Sequence, residues 1–308
     1  MQEITHITQK TLHFIKWGAL IACVGFLGHQ IYRFAPAVSE ALKEESTLAM
    51  LPSWALGYAL LLVLLAVSWH LLLSRLHGTP LSFKLSLYAY TRSSIAKYLP
   101  GNAGHLIGRN LFAKRLGVRH VTIAKSTLLE ILVQISAACA IAVWADVPFW
   151  GTISPQMGLF VSFALLCLAP TVILFSGKWH DLPSPQGRLL TGYYGTLLCV
   201  SVLSMIFFAS TGIIFSKIIE TTAPGLPLDF MAIISIYAIS WFAGLVMPGA
   251  PAGLGVRETI MISMLSQTIE GAQALVIAVL FRIVTTLGDL FFFSISFTPW
   301  LTANNEKQ

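Results

Sequence analysis

Long runs of apolar residues constrain this chain more than any other sequence feature. Residues 55–73 read ALGYALLLVLLAVSWHLLL and contain no Asp, Glu, Lys or Arg. A helix needs about 20 such residues to cross the roughly 30 Å hydrocarbon core of a bilayer, whereas barrel strands are about half as long and alternate in polarity. Of the 308 residues 56% are hydrophobic and 10% charged, which excludes a soluble domain of this length. The sequence predicts an all-α polytopic membrane protein.

Six segments are long and apolar enough to cross a membrane, and two further apolar segments are broken by Pro-Gly. The broken segments cover residues 82–113 and 230–267, and most of their halves are too short to cross alone. This pattern is typical of re-entrant helical hairpins, whose tips lie near the middle of the bilayer. The six predicted full spans cover residues 11–33, 51–74, 121–145, 157–176, 189–216 and 273–296.

The two broken segments align with each other at a constant shift of 148 residues, about half the chain. The same shift places the first three spans on the last three. Because each half then has an odd number of crossings, the second half must enter the membrane in the opposite orientation. We predict an inverted-topology repeat, with residues 1–148 as the first half and 149–308 as the second. The identical pairs are Pro100 and Pro248, Gly101 and Gly249, Leu106 and Leu254, and Arg109 and Arg257.

The distribution of Lys and Arg predicts the orientation of the chain. Eight of these residues and no Asp or Glu lie between Arg75 and His120, and short loops rich in Lys and Arg stay in the cytoplasm. The hairpin at 82–113 then enters from the cytoplasm, the hairpin at 230–267 enters from outside, and both termini are cytoplasmic. Membrane orientation and anionic lipid explain the formal net charge of +6, so we expect no nucleic-acid partner.

The two breaks predict a site for an anion. Pro100 and Gly101 end one half-helix and turn the chain, and Asn102 can cap the next half-helix. A half-helix that begins inside the membrane presents unpaired N–H groups and the positive end of its dipole, both of which favour a phosphate. Arg109 and Arg257 follow the two breaks at the same distance. Each adds a permanent charge that can bind two phosphate oxygens at once.

Structural interpretations of the charged residues stand beside this one. Arg109 lies near enough to the cytoplasmic face for its guanidinium to snorkel to the interface. Arg257 is followed directly by Glu258. Glu130 lies in the third span without a charged partner there, so it either pairs with an arginine of a hairpin or titrates. Arg282 and Asp289 lie seven residues apart in the sixth span. They form either a structural ion pair or part of an ion-coupling site.

Two motifs resemble those of a known family. The segments KYLPGNAGHLIGRNLFAKRLGV and MPGAPAGLGVRET are similar to the paired motifs of the lysylphosphatidylglycerol synthase transmembrane family, which are flippase-like bacterial membrane proteins. The resemblance implies a lipid-translocating region of the bacterial inner membrane, without the soluble aminoacyl transferase of the best-known members. One departure is Glu130-Ile131, where family members often have Glu-Arg followed by an Asp. The matching residues are Pro100, Gly101, Arg109, Pro248, Gly249, Gly253, Gly255, Arg257 and Glu258.

These features predict a lipid transporter that moves a phospholipid or a polyprenyl-phosphate-linked glycolipid between leaflets. One alternative is a non-transporting subunit that presents a lipid-linked sugar to a glycosyltransferase or another lipid-modifying enzyme. Another is an intramembrane enzyme with Glu130 and Asp289 as acid and base. Because neither metal-ligand spacing nor a nucleotide-binding or hydrolase motif occurs, we expect no metal, no cofactor and no enzymatic activity. The substrate-binding candidates are Arg109, Arg257, Asn102, Gly101, Gly249, Glu258 and Glu130.

Overall fold

A computed structural model describes residues 45–98, 104–113, 116–143, 161, 188–226, 229–247 and 250–302. These residues form helices and short connections with no strand among them, which confirms the all-α prediction. Apart from residue 161, the predicted spans 11–33 and 157–176 lie outside the described ranges, as do Pro100, Gly101, Asn102, Pro248 and Gly249. The helices are α1 (Glu45–His77), α2 (Phe83–Ser94), α3 (Gly104–Ala113), α4 (His120–Ala142), α5 (Arg188–Thr222), α6 (Phe230–Val246), α7 (Val256–Leu265), α8 (Gly271–Ser294) and α9 (Pro299–Thr302).

Four of these helices are long and apolar enough to cross a membrane. The shortest, α4, has 23 residues and is therefore about 34 Å long at a rise of 1.5 Å per residue. The four helices coincide with the predicted second, third, fifth and sixth spans. Their membrane-crossing candidates are Ala49–His77, His120–Ala142, Gly192–Thr222 and Gly271–Phe297.

The remaining helices of the core form two helical hairpins. The first hairpin consists of α2, the 3-10 turn Ile95–Tyr98 and α3, and the second consists of α6, the 3-10 turn Pro251–Gly253 and α7. In the first hairpin α3 packs closely on α2, because a Cβ atom on Gly108 would lie 3.3 Å from Cβ of Ser93. Each hairpin is thus a pair of short helices on either side of a Pro-Gly sequence.

Polar side chains mark where the helices of the second hairpin begin. The carboxylate of Asp229 accepts a hydrogen bond from the backbone N–H of Met231 at 3.3 Å and caps α6. At the start of α7, the carboxylate of Glu258 accepts a hydrogen bond from the backbone N–H of Gly255 at 2.7 Å. An acidic side chain in the first turn also compensates the positive end of the helix dipole. The sequence therefore determines both helix starts locally.

The chain reverses direction between α6 and α7 through left-handed backbone conformations. Gly253 has φ 72° and Gly255 has φ 81°, and Ala252 has φ 51°. Only glycine adopts such angles without a steric cost, which is about 1–2 kcal/mol for other residues. This turn explains why the sequence GAPAGLG follows the break in the second hairpin.

The two hairpins meet at their 3-10 turns. Ile95 and Tyr98 of the first hairpin form a buried cluster with Ala252 of the second, and Leu290 and Phe293 of α8 pack against it. Helix α8 also approaches α1 closely, since a Cβ atom on its Gly288 would lie 2.7 Å from a backbone oxygen of α1. Small residues allow such backbone proximity between membrane helices. Helices α1 and α8 and both hairpins therefore pack together in the core.

Candidate functional site

Three carboxylates are fully buried in the part of the chain that the structure describes. Glu130 is 1% exposed, Glu258 5% and Asp289 1%. A buried carboxylate is costly unless a cation or several hydrogen-bond donors compensate it. Each of the three has such a cation within 4 Å, and the three cations come from different helices. The site is therefore best described one ion pair at a time.

The first ion pair joins Glu130 of α4 to Arg109 of α3. Nη1 of Arg109 donates to Oε2 of Glu130, and Arg109 is 6% exposed. The other oxygen, Oε1, accepts from the Tyr90 hydroxyl at 2.7 Å and from Nε2 of Gln134 at 3.1 Å. Of the two sequence-based alternatives for Glu130, the structure shows pairing with an arginine of a hairpin.

The guanidinium of Arg109 is also enclosed by aromatic rings. Its Cζ lies 4.0 Å from the ring centroid of Tyr90 and 5.4 Å from that of Trp69, which is within the range of a cation–π contact. Trp69 is held by a hydrogen bond of 3.1 Å from its Nε1 to Oγ1 of Thr127. Because Arg109 is buried among α1, α2 and α4, the expectation that it snorkels to the cytoplasmic face is wrong.

The second ion pair joins Asp289 of α8 to the first hairpin. Nζ of Lys97 lies 2.6 Å from Oδ1 of Asp289, and the Tyr98 hydroxyl donates to Oδ2 at 2.6 Å. Sequence reasoning missed both partners. The signal was present, because Lys97 lies three residues before Pro100 within a broken apolar segment, and charges in membrane segments are functional or paired.

The third ion pair joins α8 to the second hairpin. Nε of Arg282 lies 3.1 Å from Oε1 of Glu258, and Nη2 of Arg282 donates to the backbone oxygen of Ala252 at 3.2 Å. The predicted ion pair between Arg282 and Asp289 is therefore wrong. Seven residues rise by about 10.5 Å along a helix, and each side chain has a nearer partner on a hairpin. Glu258 likewise pairs with Arg282 and not with its neighbour in sequence, Arg257.

Arg257 differs from the other arginines of the site. It is half-buried, and its Nε, like that of Arg109 and Arg282, is fully buried without a hydrogen-bond partner within the described ranges. Its side chain passes between two glycines: a Cβ atom on Gly244 would lie 2.5 Å from its Cγ, and one on Gly253 would lie 2.7 Å from its Nε. Arg257 also has no ion pair with any described carboxylate. Of the three arginines of the site, Arg257 is the one that no described carboxylate pairs with.

A small cavity lies beside this arginine, between α1, α6, α7 and α8. The volume open to the centre of a water-sized sphere is about 10 Å³, which is close to the space that one water molecule needs. Polar side chains contribute two guanidiniums, a carboxylate, two phenols and a hydroxyl to its wall. The lining residues are Tyr58, Tyr237, Arg257, Glu258, Met261, Ala278, Phe281, Arg282 and Thr285.

The family described as Lysylphosphatidylglycerol synthase TM region matches residues 37–292. The chain belongs to this family. The match includes both hairpins, all three buried ion pairs and Arg257, so it confirms the resemblance seen in the two motifs. Membership, together with the four long apolar helices, makes the chain a multi-pass membrane protein of lipid metabolism or transport. No curated protein matches the chain.

The predicted site residues fall into four groups in this family member. Arg109 and Glu130 pair with each other, and Asp289 pairs with Lys97 of the first hairpin. Arg257, Glu258, Arg282 and the turn glycines Gly253 and Gly255 lie together at the second hairpin. Pro100, Gly101, Asn102, Pro248 and Gly249 are outside the described residues. Within the described ranges no group of three or more His, Cys, Asp or Glu side chains could hold a metal ion.

Proposed function

We propose that the chain is a lipid transporter of the bacterial inner membrane, with six spans and two re-entrant hairpins in an inverted repeat and both termini in the cytoplasm. It moves a phospholipid or a polyprenyl-phosphate-linked glycolipid between leaflets. The head group passes between the two hairpins, while the acyl or prenyl chains stay in the surrounding lipid. The family and the four apolar helices support the membrane and lipid part of this proposal. The charged residues at the hairpins support the proposed path of the head group.

The observation that carries the proposal is the charge of Arg257, which has no carboxylate partner among the described residues. A guanidinium with a free edge can bind a phosphate through two parallel hydrogen bonds. Such a cation is expensive inside a membrane unless a ligand or a water-filled cavity compensates it. Arg257 is therefore the primary ligand of the head-group phosphate in this proposal. Its position between Gly244 and Gly253 fixes the guanidinium beside the cavity.

Arg109 has a secondary role in the proposed mechanism. Its charge is neutralised by Glu130, so it can bind a phosphate only when the carboxylate releases it. An anionic head group that reaches Arg109 competes directly with Glu130 for the same guanidinium. We propose that this exchange is the second binding step, after capture by Arg257.

Reconstitution into liposomes with a fluorescent phospholipid tests this proposal. Arg257→Gln should reduce transport about ten- to a hundredfold, because a charge-assisted contact contributes about 1.5–3 kcal/mol. Arg257→Lys should retain part of the activity, since a point charge replaces a bidentate group. Arg119→Gln removes a charge from an exposed position at the start of α4 and is the matched control.

Three outcomes of this experiment contradict the proposal. A folded Arg257→Gln variant that transports lipid at the wild-type rate excludes the role of this arginine. Binding of a lipid-linked sugar by wild-type protein that moves no lipid in any direction favours the presenting subunit instead. Detection of a chemically altered lipid by mass spectrometry would indicate an enzyme.

A further inference from the structure

Three cations of the first hairpin contact α8 and the residues that follow it, 295–302, in antiparallel order. Two of these cations lie 5.3 and 4.5 Å from the centroids of aromatic rings, and the third lies 2.6 Å from a carboxylate oxygen. As the residue numbers of the cations rise, those of their partners fall. We call this row of contacts the cationic seam. Its pairs are Lys84 with Trp300, Arg92 with Phe297, and Lys97 with Asp289.

The outer end of the seam lies where α8 leaves the membrane. The membrane-crossing candidate that contains α8 ends at Phe297, and Trp300 follows in α9. The two residues are 55% and 58% exposed. Aromatic rings of this kind are typical of the boundary between hydrocarbon and head groups, where Lys and Arg attract anionic lipids. In the proposed topology this boundary is the cytoplasmic one.

The inner end of the seam reaches one of the buried ion pairs. Asp289 precedes Phe297 by eight residues and therefore lies about 12 Å further along α8. The side chain of Lys97 is 27% exposed, whereas that of Asp289 is 2% exposed. An anion that moves inward along the seam thus meets the ammonium group of Lys97 before it meets the carboxylate.

The two outer cations have aromatic partners in place of carboxylates. Among the described residues no Asp or Glu lies within 4 Å of Lys84 or Arg92. The face of a ring attracts a cation but carries no net charge, so it does not neutralise the seam. Residues 303–308, outside the described ranges, read ANNEKQ and contain one acidic and one basic side chain. Their side chains therefore leave the charge balance unchanged.

We propose that the cationic seam binds the head group of an anionic phospholipid from the adjoining leaflet. Lys84 and Arg92 attract its phosphate, and the exposed rings of Trp300 and Phe297 contact the upper part of its acyl chains. A zwitterionic phospholipid binds more weakly, because its ammonium group opposes the two cations. The inference deepens the proposed function and rests on it for one step, the passage of the head group from the seam to Lys97. Binding at the seam does not depend on transport.

Quenching of tryptophan fluorescence by brominated lipids tests this binding. Full-length protein is reconstituted in phosphatidylcholine nanodiscs that contain a minor fraction of brominated phosphatidylglycerol or of brominated phosphatidylcholine. The anionic lipid should quench more strongly, and Trp300→Phe should remove the excess and so assign it to this ring. Lys84→Gln or Arg92→Gln should weaken the preference for the anionic lipid about fivefold. Arg119→Gln, which removes an exposed charge at the start of α4, should keep it.

Three outcomes overturn the inference. Equal quenching by the two brominated lipids in the wild type is the first, and a preference that survives in the double variant Lys84→Gln/Arg92→Gln is the second. The third is a preference that appears only in Glu306→Gln, because the C-terminal tail and not a lipid then occupies the seam. If the cation variants fail to fold, the wild type at high salt replaces them. Screening should then reduce the preference, and a preference that salt does not change refutes the inference.

Transport assays on the same variants separate this inference from the proposed function. The double variant should transport phosphatidylglycerol more slowly than the wild type. If the wild type prefers the anionic lipid at the seam but moves no lipid, the proposed function fails and the seam stands. If the double variant loses the preference but transports phosphatidylglycerol at the wild-type rate, the seam is not the entrance and that step of the inference fails.

Discussion

Arg109 and Arg257 follow the two Pro-Gly sequences at the same distance, but their surroundings differ in every respect that matters for binding. Arg109 has a carboxylate partner and two aromatic rings around it. Arg257 lies between two glycines, next to a cavity and without a carboxylate partner among the described residues. The first arrangement stabilises the hairpin, and in the proposed transporter the second leaves a charge for a ligand. Two arginines at the same distance after a Pro-Gly sequence therefore need not have the same function.

The largest difference in the free energy of unfolding should appear when Glu130, the carboxylate partner of Arg109, is removed. Glu130→Gln leaves Arg109 buried without a carboxylate and should lower the free energy of unfolding by about 3–5 kcal/mol. Arg257→Gln removes a charge that has no carboxylate partner among the described residues, so it should cost much less. Unfolding in detergent by a denaturant titration measures both. The double variant Arg109→Gln/Glu130→Gln should recover much of the loss, and additive effects of the two single changes would show that the ion pair is not coupled.

The glycines around Arg257 provide the next test. Gly253→Ala should cost about 1–2 kcal/mol for the positive φ and about 1–3 kcal/mol more for overpacking, because the new Cβ would lie 2.7 Å from Nε of Arg257 and 2.8 Å from Cα of Gly244. Gly255→Ala is the matched control, since it also requires a positive φ but has open space around its Cβ. Equal unfolding free energies for the two variants would show that the close packing on Arg257 contributes nothing.

The smallest expected effect concerns the hydroxyl that supports the first ion pair. Tyr90→Phe removes one hydrogen bond to Glu130 and should lower the free energy of unfolding by about 1.5 kcal/mol. Hydrogen bonds to charged groups contribute about 1.5–3 kcal/mol. We expect the lower value because Gln134 still donates to the same oxygen of Glu130. Tyr194→Phe, at an exposed position of α5, should change the unfolding free energy by less than about 0.5 kcal/mol. A Tyr90→Phe variant as stable as this control would mean that the hydroxyl does not stabilise the carboxylate.

The positions of the long helices could be predicted from the sequence, but the partners in the ion pairs could not. Run length and hydropathy predict the positions of α1, α4, α5 and α8, because crossing a bilayer imposes a length that composition alone reveals. The Pro-Gly positions similarly indicate where the hairpins break. The partners of Glu130 and Asp289 depend on which helices become neighbours in three dimensions, and nothing local in the sequence states this. Spacing along α8 suggested Arg282 for Asp289, yet Lys97, 192 positions away, is the actual partner.

Helix α8 carries the counter-charges of both hairpins. Asp289 pairs with Lys97 of the first hairpin and Arg282 pairs with Glu258 of the second, so one helix links both hairpins in addition to the contact between their 3-10 turns. Moving either hairpin away from α8 breaks an ion pair in a place that excludes water, which is strongly unfavourable unless another charge takes over. An arriving anionic head group can supply that charge to Lys97 or Arg282, whereas a neutral lipid cannot. In the proposed transporter, an anionic head group is therefore needed to open the path between the hairpins. Without such a lipid the ion pairs stay formed and the path stays closed.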